Sequence, residues 1–263
     1  AFKRWLSTED YTNNTKNSYL TGVMSMYKIL EKHGFTNICV GIKKFDTSNY
    51  SFKDGISIED WQNMLKLVKT NKFNGKKHYL ILYLLYTTGV RQMSLRNLKW
   101  KNFGYNANVK SMVMDIKLKG HGNRSGTVLL NEQAVKLVQE FQYAYNLHYC
   151  MDETGLISEI NTDWYVFGNK DKMLSDRGIR AITERYLKEA NIYRKGEITG
   201  HSFRYGIAEW LIDNTELGLS GVQQFLCHQS QSSTKIYAGK REKIRVDKNI
   251  LEQINKINLS DFR

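Results

Sequence analysis

The chain has 263 residues, 41% of them hydrophobic, which is enough for a real core and for one large domain or two modest ones. Its 39 Lys and Arg against 26 Asp and Glu leave a formal charge of +13, which favours a polyanionic partner, either nucleic acid or an anionic membrane surface. No apolar run approaches the ~20 residues of a membrane span, the start carries no secretory pattern, and Cys39, Cys150 and Cys227 lie too far apart for a disulfide framework or zinc site, so we expect a cytoplasmic chain with reduced thiols.

In chain order, the first stretch predicts two helices. One is short, around Phe2 to Leu6. The other starts near Asn13 and carries Tyr19, Leu20, Val23, Met26, Tyr27 and Leu30 at helical spacing, with Gly34 as its C-cap. Residues 35–56 are polar and irregular, as in a linker. Ser57 and Asp60 then make a capping-box-like pair that opens a helix with Trp61, Leu65 and Val68 on one stripe. A loop over Asn71–Gly75 leads to a buried helix Lys77–Thr87, which holds the longest apolar run and ends at Gly89. From Val109 the period changes to two: Met112, Met114, Ile116 and Leu118 alternate with Val113, Asp115 and Lys117. A Gly-rich turn at 120–123 and a strand Gly126–Leu130 complete a hairpin. Asn131 opens a helix through Ala134, Val138 and Phe141, and residues 152–163 form a loop. Trp164–Phe167 is expected as a short strand, and Ser175 as the start of a helix with Ile179, Ile182, Tyr186 and Leu187 inward. Next comes a helix with Phe203, Ile207, Trp210 and Leu211 on its buried stripe. A further helix is capped by Ser220, and an amphipathic tail helix covers Val246–Ile257. The resulting fold class is mainly α with one small antiparallel β-sheet.

Five places carry candidate chemistry. Arg91 follows a Thr-Thr-Gly-Val turn after the apolar helix, a position suited to bidentate phosphate contact. Lys119 stands where the hairpin strand meets its Gly-rich turn, from which a lysine can swing toward a leaving group. His201 and Arg204 are spaced i, i+3 on one helical face, beside the buried stripe and at a helix start that favours an anion. His228 falls at the end of the next helix. Tyr237, nine positions later, is a phenol able to attack a phosphodiester. Each is ordinary alone; a solvated lysine, histidine or arginine on a helix or turn is the common case.

In sequence order, Thr88-Gly-Val-Arg91, Lys119-Gly-His-Gly-Asn-Arg124, His201-x-x-Arg204, Cys227-His228 and Ile236-Tyr237 together resemble the tyrosine recombinase (phage integrase) family over about residues 57–240. The segments Trp164–Ser175 and Phe225–Tyr237 are similar to the family's corresponding text. Three positions depart from the pattern: Ser94 stands where the family usually has Glu, Val128-Leu-Leu130 where it has Val-Pro-Leu, and Cys227 where it has Gly. The resemblance implies a catalytic domain over 57–245, preceded within 1–50 by a partial helical segment of the core-binding, DNA-clamping kind. It also implies a tail, 246–263, that docks on a neighbouring protomer.

It further implies a site-specific recombinase acting on double-stranded DNA as a homotetramer, with no membrane partner. Tyr237 would form a covalent 3′-phosphotyrosine, Arg91 and Arg204 would hold the non-bridging oxygens, and His201 would accept the phenolic proton. Lys119 would protonate the 5′-oxygen and His228 would donate to the phosphate. No metal or other cofactor is required, because the phosphotyrosine conserves the bond energy. A type IB topoisomerase-like relaxing enzyme shares this chemistry, and a non-catalytic DNA-binding protein would share the charge.

Overall fold

The computed structural model describes residues 1–47, 54–118 and 124–227 and divides the chain into two compact units, Ala1–Ser51 and Phe52–Arg263. The predicted tail helix, Lys119, His228 and Tyr237 all lie outside the described residues.

In the first unit, α1 (Phe2–Thr8) and α2 (Asn13–Glu31) bury Leu6 and Leu20. Thr12 caps α2 by accepting from the Thr15 amide, and Gly34, at φ +87°, ends the helix in the left-handed conformation that glycine adopts without strain. Residues 35–47 are no free linker. Asn17 exchanges two hydrogen bonds with the Phe45 backbone at 2.9 and 2.8 Å, and Asn13 donates to the Asp46 carbonyl at 2.6 Å. Phe45 and Asp46 thus satisfy backbone groups on α2 side-chain amides, a pairing that local sequence does not reveal.

The second unit is built around α4 (Phe73–Thr87). Every residue from Leu80 to Tyr86 is buried, so the helix is apolar on all faces and must be covered all round. α3 (Ile58–Leu67), α5 (Gln92–Arg96), α6 (Glu132–Tyr149) and α8 (Ser202–Asn214) supply the cover. The cap predicted at Ser57 forms, and Asn131 and Ser175, expected as helix starts, cap their helices too, each side chain accepting from the amide three residues on. α4 starts earlier than the expected loop allows. Gly75 lies in its first turn, and glycine is needed there because the Lys69 carbonyl oxygen is only 1.8 Å from where a Cβ would sit.

The sheet has three antiparallel strands in the order β1 (Phe103–Asn106), β2 (Ser111–Lys117), β3 (Ser125–Leu129). Met114, Ile116 and Val128 turn into the core, as the period-two pattern predicts. β1, only four residues long, carries too little pattern to be seen in advance. Trp164–Phe167 makes a single bridge, Lys99 with Tyr165, in place of a strand. Its partner segment passes at once into a 3-10 turn, Trp100–Asn102, so the ladder cannot extend. Val166 and Phe167 are nonetheless fully buried.

α7 (Asp176–Glu189) buries Ile179, Ile182, Tyr186 and Leu187, as its spacing predicts. α9 (Gly218–Phe225) begins before Ser220, which falls inside the helix, so no Ser220 capping box forms. α8 departs furthest from expectation. Trp210 is 36% exposed, whereas Arg204, expected beside the buried stripe, is only 4% exposed. The buried face is wide because α8 is packed by α4, by α9 and by the chain at Ile56. Gly206 permits the last contact: a Cβ there would stand 2.0 Å from the Ile56 carbonyl oxygen, and the Ile56 amide donates to Ser202 at 3.0 Å.

Gly206→Ala is therefore expected to cost about 1–3 kcal/mol by overpacking against backbone, lowering Tm by roughly 2–10 °C. Gly104→Ala, with open space around its Cβ, is expected to leave the melting curve in place. Differential scanning calorimetry of both variants checks the contrast.

Candidate active site

Arg204 is buried and links two described parts of the site. Its guanidinium donates from Nη1 to the Gly89 carbonyl and from Nη2 to the Leu226 carbonyl at 2.6 Å. A buried cation is tolerated only where its donors are matched, and both partners here are strong backbone acceptors. Gly89 is two residues before Arg91; Leu226 is two before His228. One side chain of α8 thus ties down the approaches to two other candidate groups.

The backbone around this grip is unusual. Gly89 has φ +60°, and a Cβ on it would stand 2.7 Å from Leu226 Cδ2 and 3.2 Å from Ile207 Cγ2. Glycine is required there for both dihedral and space. Cys227, directly after Leu226, has φ +51° with a side chain in place. The left-handed turn explains why glycine is the commoner residue at this point of the motif. Burial pushes the Cys227 thiol pKa up, while the nearby positive charges of Arg204 and Arg91 pull it down. Both guanidinium charges therefore reach the residue that precedes His228.

Arg91 is the N-cap of the five-residue α5, half-buried, with its carbonyl accepting from the Ser94 and Leu95 amides. His201 is exposed at the N-cap of α8, where its amide donates to Thr199 Oγ1 at 3.3 Å. The two line one cavity of about 610 Å³, together with Lys117, Thr183 and Gly200. The positive end of the α8 helix dipole lies at His201, on this cavity. The structure thus brings Arg91 and His201 to one cavity, with Arg204 anchored through the turn just before Arg91.

Two residues outside the predicted set shape this cavity. Gln92 donates from Nε2 to Thr183 Oγ1 at 3.2 Å, bridging α5 to α7. Its amide lies over Gly200, where a Cβ would come within 1.9 Å of Nε2, so Gly200 lets the loop ahead of His201 pack on α5. Ser94, only 4% exposed, donates from Oγ to the Lys117 carbonyl at 2.7 Å. It joins α5 to the end of the strand that leads to Lys119. Its departure from the family pattern marked Ser94 in the sequence; nothing local marked Gln92.

Residues 56–243 match the phage integrase family. Among curated proteins, a tyrosine recombinase XerD of Staphylococcus epidermidis is 26% identical over 194 residues, 73% of this chain and 60% of that protein. A tyrosine recombinase XerC of Thermodesulfovibrio yellowstonii is 24% identical over 188 residues, 69% of this chain and 56% of that protein. The chain thus spans about 60% of the length of these relatives. Among solved structures, XerH site-specific recombinase bound to palindromic difH substrate, a post-cleavage complex, superposes with a TM-score of 0.71 at 20% identity, covering 97% of this chain and 70% of that one. The Tn1549 transposon integrase with circular intermediate DNA gives a TM-score of 0.58 at 15% identity, covering 89% and 78%. These structural likenesses show the fold. With the family match spanning most of the chain, they agree on one conclusion: the chain belongs to the phage integrase family, the tyrosine recombinases.

Proposed function

We propose that this chain is a site-specific recombinase that breaks and rejoins double-stranded DNA through a covalent 3′-phosphotyrosine. The observation that carries the reading is the convergence of cationic and proton-accepting groups from separated segments: Arg91 and His201 on one cavity, with Arg204 anchored to the turns before Arg91 and His228. That arrangement suits a phosphodiester, and the +13 charge suits its polyanionic backbone. Relatives solved with recombination DNA support the same partner.

In the cleavage step Tyr237 Oη bonds to phosphorus and the P–O5′ bond breaks. His201 takes the phenolic proton and Lys119 gives one to the departing 5′-oxygen. A phenol with a pKa near ~10 is a weak nucleophile at neutral pH, so charge stabilisation at the phosphate must lower the barrier. Arg91 and Arg204 supply it, with His228 as a further donor. Rejoining is the reverse, with a 5′-hydroxyl from the exchanged strand as nucleophile. Residues 57–245 form the catalytic domain, and 1–50 contribute to the DNA clamp. The tail at 246–263 docks on a neighbouring protomer and builds a homotetramer on two sites. The reaction takes place in the cytoplasm, where the DNA lies.

A pool of nicked suicide duplexes with randomised sequence around the nick provides the test. The chain is expected to form adducts that survive denaturation, and Tyr237→Phe to form none while retaining DNA binding. Failure of the unsubstituted chain to form any adduct overturns the reading. The two arginines are expected to separate. Arg91→Ala lowers the cleavage rate by ~10²–10³ with little change in Tm. Arg204→Ala lowers it similarly and also leaves two buried carbonyls without partners, at about 1–3 kcal/mol each, so Tm falls. Deleting 246–263 is expected to abolish tetramers in light scattering of DNA complexes; unchanged tetramers reject docking in trans.

A further inference from the structure

Ser94 occupies an unusual place for a small polar residue. It is almost fully buried, on a helix of five residues that starts from Arg91. Its amide donates to the Arg91 carbonyl at 2.9 Å, and its hydroxyl donates to the Lys117 carbonyl at 2.7 Å. A single residue therefore links the backbone of Arg91 to the end of β2.

The sheet explains why Lys117 needs this partner. β1 pairs with β2 only over Ser111–Met114, so among the described residues no strand lies beside that edge of β2 at Lys117. On the other edge, Leu118 donates to the Arg124 carbonyl at 2.9 Å, which turns the Lys117 carbonyl away from β3. Ser94 meets that carbonyl in place of a strand. Lys119 follows two residues later, and two residues of chain span at most ~7 Å. The Ser94 bond thus sets the point from which the hairpin tip departs.

We propose that Ser94 is a positioning residue for proton delivery to the leaving group: it registers the hairpin base that carries Lys119 against the turn that carries Arg91. The proposal rests on Lys119 being the acid of the proposed reaction. Ser94 touches neither DNA nor the reacting atoms; it acts through the Lys117 backbone. Losing its hydroxyl loosens the hairpin base while Arg91, Arg204 and His201 keep their own anchors. Protonation of O5′ should therefore suffer more than phosphate binding or attack by Tyr237.

A change of leaving atom isolates that step. With oxygen at the 5′ bridging position, the P–O bond breaks as O5′ takes a proton from the Lys119 ammonium. With sulfur there, the P–S bond breaks and a thiolate leaves without a proton. Suicide duplexes recovered from the adduct-forming pool are made in both forms, and single-turnover cleavage is measured for the chain, Ser94→Ala and Lys119→Ala. Ser94→Ala is expected to cleave the oxygen substrate about 10- to 100-fold more slowly, part of what a general acid supplies, and the sulfur substrate at close to the unsubstituted rate. Lys119→Ala should show the same rescue by sulfur, to a greater degree. The oxygen-to-sulfur ratio does not depend on how much variant is folded, since misfolding lowers both rates alike. Ser94→Cys, nearly isosteric with a weaker donor, repeats the test if the alanine variant does not fold, and should show a smaller shift in the same direction. Equal slowing on both substrates, or no slowing, overturns the role of Ser94. Absence of sulfur rescue in Lys119→Ala overturns the acid assignment and this proposal with it. If the unsubstituted chain cleaves neither substrate, the recombinase reading itself fails.

Discussion

The structure of the second unit depends on a buried cation, Arg204. Arg204 projects from α8 into a water-poor interior, where an unmatched guanidinium would not be tolerated. Its match comes from two backbone carbonyls far apart in sequence, at Gly89 and Leu226. The same bonds that satisfy the charge therefore clamp the turn before Arg91 and the turn before His228. The left-handed backbone at Gly89 and Cys227 lies on either side of this clamp. Such conformations persist where the surroundings over-determine them, and the Arg204 grip does so here.

A second constraint is the shortness of α5. Five residues cannot hold a helix by themselves, since the nucleation cost exceeds the few hydrogen bonds formed. Tertiary links hold it in place. Gln92 reaches Thr183 on α7, Ser94 reaches the Lys117 carbonyl of β2, and Arg96 approaches Asp176 at 3.5 Å. The helix is thus a strut whose side chains point to different walls of the cavity, and Arg91 sits at its start. A substitution on α5 is consequently felt in whichever wall that side chain reaches.

Much of the fold was legible because it is locally encoded. Ser57, Asn131 and Ser175 cap helices by bonds three residues long, and Met114 and Ile116 declare an inward strand face by alternation. The failures were of a different kind. Gly75 suggests a loop by composition but sits in the first turn of a helix, where the Lys69 carbonyl leaves no room for a Cβ. Residues 35–47 suggest a linker but bond back to Asn13 and Asn17. Trp164–Phe167 has strand chemistry, but its neighbour offers it one bridge only. In the last two cases a segment distant in sequence decided the outcome.

The candidate site divides in the same way. The sequence by itself determined which groups the protein has and in what order: Arg91, Lys119, His201, Arg204, His228 and Tyr237, on a chain of strong positive charge. It did so because chemistry belongs to residue types, and their spacing survives as text. Only the tertiary structure decided that Arg204 is a buried clamp, that Gly200 and Gln92 pack together ahead of His201, and that Ser94 meets the end of β2. Those facts depend on contacts between segments up to 115 residues apart, formed when burial and backbone hydrogen bonding are satisfied together.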